Sequence, residues 1–253
     1  MLKITNLLGT LFLLLSLVAC GSKTFVDKKA SYMIPVEQTT TNIDRVIQPL
    51  VDAHPAQTGL VLLNNNLDAF AVRAISAREA GRSLDLQYYI WHNDLTGNLL
   101  SYELLRAADR GVRVRLLLDD MNAHDKDTIL ATLEQHPNIE VRLYNPNYSR
   151  SSAWRRGAEM VFRGYSLNRR MHNKAWIVDG QIAVVGGRNV GDEYFDAAKQ
   201  TNFLDVDVML LGDAVLETEN IFDQFWNSPA TVPLKSLVKV KKDSLSRLRH
   251  YVK

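Results

Sequence analysis

The clearest pattern lies at Leu84-Asp85-Leu86-Gln87-Tyr88-Tyr89-Ile90-Trp91, where apolar and polar positions alternate as they do along a half-buried β-strand. Before it, Asn64-Asn65-Asn66 offers caps to a helix over Leu67–Ala80, with Phe70, Ala74 and Ala77 on one stripe and Gly81 ending it. After it, Asp94 or Thr96 caps a helix to about Arg110, with Leu100, Leu104 and Ala107 facing inward and Gly111 as terminator. Val112–Leu118 predicts a strand, Asp125–Gln135 a helix stopped by Pro137, and Ile139–Tyr144 a further strand. Later, Phe203–Leu210 predicts a buried strand. Val215–Trp226 predicts an amphipathic helix with Leu216, Ile221, Phe222 and Phe225 as core contacts. Strand–helix repetition of this kind implies right-handed crossovers and a largely parallel sheet covered by helices.

Composition sets the scale. At 253 residues and 46% hydrophobic content the chain can bury one sizeable core or two small ones. A net charge of +2 argues against a dominant nucleic-acid-binding surface. The charge is uneven, because Lys235 to Lys253 holds seven Lys or Arg and a single Asp. Residues 231–253 therefore read as a basic tail, either an amphipathic helix for acidic lipid or the start of a linker to a second half.

Candidate chemistry gathers in Met171-His172-Asn173-Lys174-Ala175-Trp176-Ile177-Val178, joined through Asp179-Gly180 to Gln181-Ile182-Ala183-Val184-Val185-Gly186-Gly187-Arg188-Asn189. Two β-prone runs around Asp-Gly predict a hairpin. Side chains two apart on a strand share a face, so His172 and Lys174 form an imidazole–ammonium pair suited to a nucleophile beside a phosphate-binding cation. Gly186 and Gly187 let backbone approach closely, and Asn189 brings an amide donor.

The spacing His172-x-Lys174, four residues, Asp179, six residues, Gly186-Gly187-x-Asn189 resembles the HKD signature of the phospholipase D superfamily, with Gly187 where Ser is frequent. The resemblance implies an α/β/α sandwich with a central mixed, largely parallel sheet. It also implies phosphodiester transfer through a phosphohistidine, without cofactor or metal. His172 would be nucleophile or acid, with Lys174 and Asn189 as phosphate ligands. Asp205, or else Asp207, would orient the His, and Asp179 would be a hydrogen-bond partner near the turn. Gly186 and Gly187 would shape the floor. Around this hairpin, the long connection Pro146–Arg170 interleaves Arg150, Arg155, Arg156, Arg163, Arg169 and Arg170 with Tyr148, Trp154, Phe162 and Tyr165. That mixture suits phosphate headgroups at a lipid interface, Arg169 and Arg170 standing nearest the motif. Asp119-Asp120 with His124 and Asp125 could hold a metal, but acidic residues at a strand end also cap the next helix. His92 follows a strand, where it faces either the cleft or solvent.

At the N-terminus, Lys3 and the apolar run Leu7–Val18 read as a signal peptide over residues 1–19. Leu17-Val18-Ala19-Cys20-Gly21 resembles a bacterial lipobox, which implies cleavage before Cys20, the chain's sole cysteine, and its modification with acyl chains such as palmitate. Ser22 after Gly21 implies a periplasm-facing lipoprotein, the outer membrane favoured. Residues 20–42 read as a polar tether, and 43–230 as the folded domain.

Across the superfamily two such motifs make one site, whereas His54, His92, His136 and His250 lack a Lys two positions on, and His124-x-Lys126 is followed by Ala131 where the motif requires Asp. Three arrangements follow: a homodimer, the first half of a longer protein, or an inactive remnant. The whole chain most resembles the first half of a cardiolipin-synthase-like lipoprotein, with phospholipid as substrate and nucleic acid disfavoured by the anchor.

Overall fold

The computed structural model describes residues 28–122, 127–147, 154, 169–238 and 244–251. The signal peptide, Cys20, His124, Asp125 and most of the arginine-rich connection lie outside the described residues.

Helix α1 (Asn42–Asp52) starts at a capping box: Thr41 accepts from the Asp44 amide while Asp44 accepts from the Thr41 amide. It leads into β1 (Thr58–Leu63), α2 (Asn66–Glu79), β2 (Ser83–Tyr88) and α3 (Leu95–Asp109). Next come β3 (Arg113–Asp119), α4 (Asp127–Leu133), β4 (Ile139–Tyr144) and the hairpin β5 (Ala175–Val178) and β6 (Ile182–Gly186). β7 (Asp207–Gly212), α5 (Asp213–Asn227), β8 (Thr231–Pro233) and α6 (Ser244–Tyr251) complete the order. The predicted caps are in place, with Asn65 accepting from the Leu67 and Asp68 amides and Asp94 from the Gly97 amide.

Among the described residues the eight strands form one sheet in the order β1-β7-β6-β5-β2-β3-β4-β8. Only β2–β3 and β3–β4 pair in parallel; the other five pairings are antiparallel. The expected α/β class holds, and the largely parallel sheet is corrected. Among the described residues, helices connect neighbouring parallel strands only from β2 to β4, while the hairpin and the edge strands β1 and β8 all add antiparallel neighbours. Strand alternation divides the core. Trp176 and Val178 face the cluster built with α1 to α4, whereas Ala175 and Ile177 face Val215, Phe222 and Trp226 of α5. On α5, Leu216 and Ile221 are exposed rather than core-facing.

The expected tether is docked over much of its length. Residues 28–39 form a strap beside α5, above a buried ionic cluster of Asp85, Arg115, Glu219 and Asp223. The Ser31 carbonyl accepts from Arg115 at 2.9 Å, and the Met33 amide donates to Asp223 at 2.9 Å. Ser31 also exchanges hydrogen bonds with Asn227 and accepts from Trp226 Nε1 at 2.9 Å. Burial and the Asp85 carboxylate push the Glu219 carboxyl well above its ordinary range. In the basic tail, Leu234 is buried and α6 docks on the protein, the Leu245 amide donating to Gln135 at 3.1 Å.

Candidate active site

Asp179 and Gly180 both take positive φ, 54° and 68°, the backbone of the tight primed turn that suits a twisted hairpin. The Asp179 carboxylate accepts from the backbone amides of Gly81, Arg82 and Ser83, at 3.0, 2.8 and 2.9 Å, and is fully buried. Its role is to fasten the hairpin turn to the start of β2. Five residues of extended chain separate it from Lys174, a rise of about 17 Å. It therefore stands at the opposite end of the sheet from the candidate chemistry.

At that other end, His172 is exposed and Lys174 is buried. Lys174 Nζ lies 3.1 Å from His172 Nδ1 and 3.2 Å from Nε2, and donates to the His172 carbonyl at 2.7 Å. Burial pulls the ammonium below its ordinary value, and the charges of Asp205 and Asp207 partly offset this. The Tyr89 ring closes the group, with its centroid 4.9 Å from the His172 ring and 5.7 Å from Lys174 Nζ. Asp119 holds the approach to His172: it is fully buried and accepts from the Met171 amide at 2.9 Å and from Arg170 at 3.2 Å.

Asn189 Oδ1 accepts from the Ile90 amide at 3.0 Å, and its Nδ2 donates to Tyr194 Oη at 2.9 Å. One amide hydrogen is left over for a ligand. Gly186 and Gly187 are required by close approach: a Cβ would come within 2.2 Å of Asp207 Oδ1 and 2.1 Å of Asp205 Oδ1. The two carboxylates differ in company. Asp207 accepts from Arg73 at 2.8 Å and stands 3.5 Å from the fully buried Arg188. Asp205 lies just before β7, packs on Gly187 and accepts from the Val206 amide at 2.8 Å. Neither bonds to the His172 ring, whose partner among the described residues is Lys174.

A family model described as cardiolipin synthase, PLD-like domain, matches residues 75–226. The chain belongs to this family. Within this phospholipase D superfamily, it is 46% identical over 200 residues to cardiolipin synthase C of Escherichia coli, covering 79% of this chain and 42% of that one. It spans less than half the length of the first curated relatives it matches. Phosphatidylserine synthase from Haemophilus influenzae superposes with a TM-score of 0.56 at 13% identity, covering 83% of this chain and 47% of that one. NucT from Helicobacter pylori superposes at 0.50 with 19% identity, covering 70% and 98%. These two likenesses show the fold alone.

In this PLD-like domain the described members of the other candidate groups have partners of their own. Asp120 accepts from the Asn147 amide at 2.8 Å, and no group of three or more potential ligands for a metal occurs among the described residues. His92 pairs with Glu193 at 3.1 Å. The sequence offered no role for Tyr89, Arg188 and Tyr194, and pointed to Asp119 only as a possible metal ligand. The paired aromatics Tyr88-Tyr89 at a strand end were the one signal that could have drawn attention to the first.

Proposed function

We propose that the chain is one catalytic half of a phosphatidyl-transferring phosphodiesterase of the cardiolipin synthase type. The observation that carries this is the ammonium of Lys174 within 3.2 Å of both His172 ring nitrogens, at the head of a central strand in a PLD-like domain. An imidazole nitrogen of His172 attacks phosphorus, forming a P–N bond as the bond to the leaving alcohol breaks. A histidine of a second motif gives that alcohol its proton, then takes one from the incoming hydroxyl, whose oxygen displaces His172. Lys174 and the remaining N–H of Asn189 hold the phosphoryl oxygens as charge builds. Asp205 sets the field at Lys174, and Arg169 and Arg170 flank the entrance to the motif. Cys20 is the proposed lipid anchor, placing the domain on the periplasmic face of a bacterial membrane.

The test is conversion of phosphatidylglycerol vesicles to cardiolipin by the chain alone and by the chain supplied with a second-motif partner. His172→Ala is expected to abolish turnover while leaving the fold intact; full activity in that variant rejects the assignment. The second reading is a homodimeric phosphodiesterase or nuclease, favoured by the single complete His-x-Lys, Asp, Gly-Gly-x-Asn pattern in the sequence. It predicts a dimer that turns over without a partner and cleaves DNA.

A further inference from the structure

The strap has a direction. Lys28 Nζ donates to the carbonyls of Thr231, at 2.6 Å, and Ser228, and Thr231 pairs with Tyr144 at the C-terminal end of β4. β4 runs parallel to β3 and β2, and β2 ends beside the start of β5, so Lys28 sits at the catalytic end of the sheet. Eleven residues on, the strap reaches the opposite end, where Arg82 donates to the carbonyls of Val36, at 2.9 Å, and Thr39. Lys28, where the described residues begin, therefore lies at the same end as His172, four strands to the side, about 19 Å at the usual strand spacing.

We propose that the strap is an orientation device. It delivers the tether at the catalytic end, so that a phospholipid bilayer holding Cys20 meets the rim carrying Met121 and Arg169. The inference rests on the proposed lipid anchor and goes beyond it by naming the face that meets lipid. From Cys20 to Lys28 the chain reaches at most about 28 Å. Facing the opposite end of the domain to the bilayer would lift Lys28 by roughly 40 Å, the diameter of a domain of this size. That pose is out of reach. The rim suits an interface: Met121 is 54% exposed just past β3, and Arg169, exposed, is fixed by a 3.0 Å hydrogen bond from Asn145 to its carbonyl. The exposed Phe203, Leu204 and Val206 lie on the other flank of the hairpin, beyond β6, away from the tether.

The test uses the mature full-length chain on vesicles of phosphatidylethanolamine and phosphatidylglycerol containing a brominated lipid. Lipidation turns the Cys20 thiol into a thioether, so a fluorophore attaches only at an introduced cysteine, Met121→Cys or, at the opposite end, Glu79→Cys. The expected result is quenching several-fold stronger at position 121 than at 79. A 20-residue Gly/Ser insertion between Asp27 and Lys28 should erase that difference without releasing the protein from the vesicles. Equal quenching at both ends, or a difference that survives the insertion, overturns the proposal. So does labelling at Cys20 with no vesicle retention, or shielding of position 121 in a dimer without lipid. The readout needs no turnover, so the same measurement on His172→Ala separates failure of this inference from failure of the proposed reaction.

Discussion

The ring of Tyr89 lies 4.9 Å from that of His172, tilted at 55°, and forms one wall of the space in which the imidazole turns. The hydroxyl points away, to the Met121 sulfur at 3.3 Å. The ring therefore does the positioning. Tyr89→Phe should keep near-normal turnover, whereas Tyr89→Ala should lower kcat about 10- to 100-fold with KM little changed. Steady-state kinetics on a phosphodiester substrate, with melting temperatures measured alongside, check this.

In its proposed role Lys174 must be charged to hold phosphoryl oxygens, and burial lowers its pKa. Activity should fall on the alkaline side at a lower pH than an ordinary lysine would impose. Asp205 opposes the shift by favouring the cation, so Asp205→Asn should move the alkaline limb to still lower pH. A pH–rate profile of both proteins measures the displacement; movement in the alkaline direction would contradict the assigned sign.

Asp179 accepts three backbone amides far from the chemistry. Asp179→Ala should cost about 3 kcal/mol of unfolding free energy, since buried donors lose a charged acceptor. The folded fraction should retain turnover within about threefold. Urea denaturation and activity below the melting transition separate the two effects.

Asp207 and Arg73 form a buried pair, both essentially without solvent contact. Asp207→Asn leaves Arg73 with a weaker partner and should destabilise the protein by about 3–5 kcal/mol. The loss should appear in stability before it appears in the pH profile, which distinguishes Asp207 from Asp205.

How far the sequence foretold this is best judged element by element. Ile139–Tyr144 occupies its expected range because alternation and flanking turn residues agree there. The hairpin was equally legible from its Asp-Gly turn, whereas His172 and Lys174 precede β5, one exposed and one buried, and meet through the Lys174 ammonium rather than on a shared strand face. β1 escaped because Leu60–Leu63 is an unbroken apolar run on an edge strand, with Leu60, Val61 and Leu62 exposed. The strap escaped because its polarity looks like a linker's; the ionic cluster beneath it and the hydrogen bonds of Lys28 and Arg82 at its two ends explain its docking. Arg73 and Asp207 stand 134 positions apart, and no local pattern can announce such a pair. The strand expected from Phe203 begins only at Asp207, which leaves Asp205 outside the ladder.

Asn189 spends one hydrogen on Tyr194 and its carbonyl on the amide of Ile90, the residue next to Tyr89. A single amide thus acts as a rivet joining the segment after β6 to the segment after β2. Tyr194 is thereby tied, through one amide and one peptide unit, to the ring that walls the proposed nucleophile, a linkage that gives a residue outside the His–Lys pair a hold on the imidazole's surroundings.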